Sequence, residues 1–124
     1  MEVDELFKFK TDMSSLRECI QTLPNECKHL STIQVERFRC GSARVKGKIF
    51  TANLEVSYMP GSKILELISF NEYLNGFMQQ AGYHEIVANQ IFRDLKQLLV
   101  PESLNVKLTS LFSDDMKTTI EFSL

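Results

Sequence analysis

Residues 50–58 read Phe50-Thr51-Ala52-Asn53-Leu54-Glu55-Val56-Ser57-Tyr58, apolar and polar in strict alternation. A period of two places Phe50, Ala52, Leu54, Val56 and Tyr58 on one side of a strand and the polar residues on the other. A strand buried on one face and wet on the other belongs to an antiparallel sheet covered on a single side. Working outward, Ser31 to Arg39 also alternates, with Ile33 and Val35 set against Gln34 and Glu36. Phe38 and Cys40 then fall on the opposite parity, which predicts a bulge. The Gly41 to Gly47 loop between these two strands predicts a hairpin.

C-terminal to the anchor strand, Met59-Pro60-Gly61-Ser62 breaks the pattern. A first helix follows, with Phe70, Leu74, Phe77 and Met78 on one side, ending near Gly82. A second begins about Glu85, carries Val87, Ile91, Leu95 and Leu98 on a stripe, and stops at Pro101. Leu104 to Leu111 and Met116 to Leu124 alternate again across the turn residues Ser113-Asp114-Asp115. N-terminal to the first strand, Leu16, Ile20 and Leu23 stand at helical spacing behind a Ser15 capping box, closed by Pro24. The reading is an α+β fold, ββααββ, with two helices on one face of a four-stranded antiparallel sheet. Residues 1–30 form an N-terminal helical extension and residues 31–124 the main domain. The open sheet edges need blunting or pairing with another subunit.

The bulk composition excludes several classes. A chain of 124 residues, 44% hydrophobic and 24% charged, makes one ordinary globular domain. A net charge of −2 gives no global pull toward nucleic acid or anionic lipid, although Arg37, Arg39, Arg44, Lys46 and Lys48 crowd one segment. No apolar run is long enough for a membrane span, and the acidic start lacks a secretory layout. The three cysteines show no paired C-x-x-C spacing, which disfavours structural zinc and a disulfide framework. A reduced, cytoplasmic protein is the expectation.

One stretch carries more specific information. Ser57-Tyr58-Met59-Pro60, then Ile64-Leu65-Glu66-Leu67-Ile68-Ser69-Phe70, then Tyr83-His84-Glu85 resembles the 7-cyano-7-deazaguanine nitrile reductase (QueF) family of the tunnelling fold, or T-fold. That family's pattern is Tyr-Ile-Pro, a Glu-Ser-Lys-Ser helix start and a Phe-His-Glu before the second helix. The spacing from Tyr58 to His84 matches without a gap, and the likeness covers roughly residues 45 to 112. The resemblance implies a ring-shaped homo-oligomer with pockets between neighbouring subunits. It also implies that Glu85 anchors a purine-like ring, since a carboxylate accepts paired hydrogen bonds from a ring N–H and an exocyclic amine. His84 would bond the heterocycle, and Glu66 stands at the first glutamate of the helix-start motif.

The family's cysteine nucleophile attacks the nitrile to give a thioimide. Cys40 is the candidate here, three residues further from the Tyr-x-Pro marker than the pattern expects and without the following proline. The family aspartate falls on Phe50. Ile68 and Asn71 replace lysines, so the motif for NADPH, the cofactor the resemblance allows, is altered. The related archaeal branch, archaeosine-forming amidinotransferases, lacks that lysine-rich motif, keeps the His-Glu pair and acts on the base within tRNA, which the basic hairpin would suit. No metal is implied: GTP cyclohydrolase-like zinc chemistry needs a Cys/His set whose spacing is absent. Each residue also has a structural reading: Glu85 as a helix-dipole partner, His84 as a cap neighbour, Glu66 as a surface acid, Cys40 as a small strand hydrophobe. Two functions follow, an enzyme acting on the nitrile of 7-cyano-7-deazaguanine, free or in nucleic acid, and a catalytically degenerate binding or assembly module.

Overall fold

The computed structural model describes residues 16–42, 48–79 and 81–124. Strands β1 (Thr22–Pro24), β2 (Ser31–Ser42), β3 (Ile49–Met59) and β4 (Lys63–Leu65) precede helix α1 (Leu67–Asn75). A 3₁₀ turn (Gly76–Gln79) and β5 (Ala81–Gly82) lead into α2 (His84–Leu99), followed by β6 (Ser103–Ser113) and β7 (Met116–Ser123). The main sheet has the order β5-β2-β3-β6-β7, and β1 pairs with β4 in a separate ribbon. The β2–β3, β3–β6 and β6–β7 ladders are antiparallel, while β5 adds two parallel residue pairs to the end of β2.

The alternation at residues 50–58 translates directly into packing. Ala52, Leu54, Val56 and Tyr58 are buried under the helices, with Leu104, Val106 and Leu108 of β6 alongside. Helix α1 contributes Phe70, Tyr73 and Leu74, and the following turn Phe77; α2 contributes Val87, Ile91, Leu95 and Leu99. The outer face is polar in register: Gln34, Glu55, Lys107 and Glu121 stand in one row across four strands. Gln34 donates to Glu55 Oε1 at 2.8 Å in that row. The parity switch in β2 is a register shift between Val35 and Phe38, the expected bulge. It brings Phe38 and Cys40 onto the helix side, where both are buried.

The main sheet has five strands rather than the expected four, because β5 joins the edge of β2, and further elements differ from the sequence reading. The N-terminal helix is, among the described residues, one 3₁₀ turn, Leu16–Cys19, and Ser15 of its capping box lies outside them. The turn is short because the next residues are drawn into strand pairing, Leu23 opposite Ile64. Tertiary pairing overrides the helical spacing of Leu16, Ile20 and Leu23. Helix α1 begins behind Glu66, the helix start the resemblance implied, but ends at Asn75 rather than near Gly82, and the residues before it, Lys63–Leu65, form β4. Met78 is 37% exposed, off the buried stripe that Phe70, Leu74 and Phe77 form.

Residues 16–25 lie along α1 as a strap. Leu16 packs at Gly76, where an added Cβ would come within 2.6 Å of its side chain. Arg17 hydrogen-bonds Gln97 of α2. Gln21 N–H donates to Ser69 Oγ, Glu66 N–H to Gln21 O, and Asn25 Nδ2 to Gly61 O. Among the described residues no helix is long and apolar enough to cross a membrane.

Candidate functional site

Three chain segments converge where the β2–β3 hairpin meets the start of α2. Cys40 faces Phe50 in the β2–β3 ladder, and the next pair is Gly41 with Ile49. On the other side of β2, Gly41 and Ser42 pair with Ala81 and Gly82, which delivers Tyr83 and His84 to the same end. The Phe50 and His84 rings close the group, with centroids 4.2 Å apart at 83°. Glu85 follows, exposed in the first helical turn, where the N-terminal partial charge of α2 favours an anion. Tyr83 is the N-cap residue and offers no side-chain hydrogen bond to the helix.

Cys40 is fully buried. Burial pushes its thiol up to about 12, and Sγ lies 3.5 Å from the Gly41 carbonyl. At neutral pH the thiol is therefore protonated. His84 is half-buried, and burial holds its imidazole below the ordinary histidine range, against the upward pull of the Glu85 carboxylate. The arrangement therefore sets a neutral imidazole beside an exposed carboxylate, with an aromatic ring and a protonated thiol behind them.

Glu66 is not in this group. It is the N-cap of α1, and its carboxylate accepts from Ile68 N–H and Ser69 N–H, both at 2.8 Å. Those bonds, Ser69 first, hold its carboxyl below the usual range. Leu65 N–H, next to it, donates to Tyr58 Oη at the far end of β3. Nine residues of α1 and a four-residue 3₁₀ turn separate it from β5 and Glu85, roughly 20 Å by their rise per residue. Within one chain the structure thus brings together Cys40, His84 and Glu85, and leaves Glu66 at the opposite end.

Sequence reasoning did not find the Phe50–His84 contact. Phe50 reads as one more member of an apolar row, and nothing local ties it to residue 84. A shallow polar groove lined by Glu36, Asn53, Glu55, Lys107 and Thr109 lies on the opposite face of the sheet, apart from this group. Among the described residues no cluster of three or more His, Cys, Asp or Glu could hold a metal ion.

The QueF-like protein family model matches residues 51–120. The chain belongs to the QueF-like family. It is 36% identical over 85 residues to an NADPH-dependent 7-cyano-7-deazaguanine reductase of Sulfurovum sp., covering 67% of each chain. It is 31% identical over 91 residues to the reductase of the same name from Campylobacter jejuni subsp. doylei, covering 72% of this chain and 71% of the relative. The crystal structure of the archaeosine synthase QueF-Like in the apo form superposes with a TM-score of 0.71 over 79% of this chain and 95% of that one, at 15% identity. That likeness shows the fold, and the α+β reading with two helices on one sheet face is the T-fold of the QueF-like proteins. The matched segment of the family starts at the anchor strand and leaves the strap, residues 16–25, outside it.

Proposed function

We propose that this chain recognises a 7-cyano-7-deazaguanine-type base, free or within a nucleic acid, and acts on its nitrile through Cys40. The observation that carries the proposal is the convergence of Cys40, His84 and Glu85, far apart in sequence, at one end of a QueF-like fold. Glu85 would accept the ring N–H and exocyclic amine in a paired bond, and His84 would bond the heterocycle from the side. The Cys40 sulfur would add to the nitrile carbon as the thiol proton passes to the nitrile nitrogen, forming a thioimide. Attack by ammonia on the thioimide carbon and departure of the Cys40 thiol would then give the amidine.

The residues present do not fit a nicotinamide cofactor at the helix start. Helix α1 contains no Lys or Arg, and its first turn exposes apolar Leu67 and Ile68, 60% and 73% accessible. A dinucleotide phosphate would find no cation on that helix, in contrast to what the NADPH-dependent relatives' names imply for those proteins. Among the described residues β7 and most of β2 have a strand neighbour on one side alone. Pairing those edges between copies would build a ring and could bring Glu66 of one copy toward Glu85 of the next.

A second reading, base binding or assembly without catalysis, is favoured by the buried Cys40 thiol and by an apolar Phe50 across the strand pair. Incubation with 7-cyano-7-deazaguanine, followed by intact-mass measurement and a scan for thioimide absorbance, separates the two. An adduct that disappears in Cys40→Ala supports the enzyme. Binding without an adduct leaves a recogniser, and absence of both sinks the base site altogether.

A further inference from the structure

We propose that Phe50 is a positioning residue: its ring packs against the His84 imidazole at the start of α2 and fixes its direction, leaving the Glu85 carboxylate available to a ligand. This rests on the base-site reading above and deepens it. Phe50 lies on the helix-facing row of β3, but it is only half-buried, whereas Ala52 and Leu54 further along the row are 4% and 1% exposed. Its ring therefore stands at the mouth of the core, in a T with the His84 ring at 83° and a centroid separation of 4.2 Å.

A ring in that place does two things. It excludes water from one side of the imidazole, which penalises the charged form. It also restricts the rotamers open to His84, so that the imidazole is held in one direction. Among the described residues, the hairpin end beside His84 carries Phe50, Cys40 and Gly41, with Arg39 and Lys48 next to them along the two strands. Among the described residues Glu85, on the histidine's own helix, is the charged group whose field raises its pKa, and burial outweighs that field.

The consequence concerns Glu85 more than His84. An imidazolium next to Glu85 would compete with the ligand for the carboxylate. A neutral imidazole does not, and it retains one donor and one acceptor nitrogen. The ligand class that suits this pair is a planar heterocycle presenting adjacent N–H donors to Glu85 and one further polar atom to His84.

NMR of histidine-labelled protein tests the assignment directly, because the chain has only two histidines. His29 lies at the exposed Asn25–His29 turn, away from this end, and serves as the internal control. Phe50→Leu should move the His84 titration upward toward the ordinary value of about 6.5, with His29 unchanged. Phe50→Tyr should restore the wild-type titration. Binding of 7-cyano-7-deazaguanine to Phe50→Leu should then weaken about tenfold between pH 8 and pH 5.5, as the imidazole charges, and weaken less in wild type. A His84 titration unmoved or lowered in Phe50→Leu overturns the positioning role. Absence of binding in wild type at every pH would refute the base site instead, and the NMR titration would still decide the role of Phe50.

Discussion

Tyr73→Phe removes a single oxygen from the middle of the helix layer. The Tyr73 hydroxyl donates to Asp94 Oδ2 at 2.7 Å, and Gln90 Nε2 donates to Asp94 Oδ1 at 2.8 Å. Tyr73 and Asp94 are 0% and 2% exposed. The phenylalanine keeps the ring contacts with Phe70 and Phe77, at 5.8 and 5.3 Å, so the loss is confined to the hydrogen bond. A buried bond to a charged acceptor contributes about 1.5–3 kcal/mol. For a domain of this size that corresponds to a melting point lower by roughly 5–12 °C.

The pH dependence has a definite sign. Burial raises the Asp94 carboxyl above its ordinary value, against the hydrogen bonds from Tyr73 and Gln90. Between the unfolded and the raised folded pKa the native state binds more protons, so stability falls as pH rises through that window. Tyr73→Phe removes one of the bonds favouring the charged form and widens the window upward. The deficit of Tyr73→Phe, read by denaturant titration, should therefore be larger at pH 7 than at pH 4. A deficit below about 0.5 kcal/mol, or one equal at both pH values, would refute the buried-network argument.

Val100 closes α2 in the left-handed region, φ 44° and ψ 57°, with its side chain 73% exposed. A β-branched residue pays about 1–2 kcal/mol there, and glycine adds roughly 0.5–1 kcal/mol of unfolded-state entropy. Val100→Gly should accordingly be neutral to about 1 kcal/mol more stable in a denaturant titration; a clear loss would contradict the strain. Glu66→Ala deprives α1 of its cap and should lower the melting point at pH 7. Because the folded carboxyl titrates below its ordinary value, that stabilisation is present above the unfolded pKa and is lost as pH falls through the folded one. An effect of Glu66→Ala on melting that persists unchanged at pH 2 would argue against the cap.

The sheet was legible from residues 50–58 because a buried row beside a polar row leaves a period of two. The β2 bulge was legible for the same reason, as the shift of parity from Val35 to Phe38. β1 and β4 were not, since three-residue strands carry no periodic signal and owe their pairing to each other. The helical spacing of Leu16, Ile20 and Leu23 was genuine but outweighed once Thr22–Pro24 found a strand partner. At the candidate site, Glu85 and His84 could be singled out only through resemblance, because an acid in a first helical turn is ordinary. The burial of Cys40 followed from its parity with Phe38. Its placement across from Phe50, and Phe50 against His84, are long-range contacts that no local pattern encodes.

The proposed role of Glu85 as base anchor is tested most directly by equilibrium titration of the intact protein with 7-cyano-7-deazaguanine. Wild type should bind, and Glu85→Gln, which replaces one of the two acceptor oxygens with a donor, should weaken binding by about 10- to 100-fold, while loss of the helix-dipole contact lowers the melting point by no more than a few degrees. Binding undiminished in Glu85→Gln, or no binding by the wild-type chain, would contradict it.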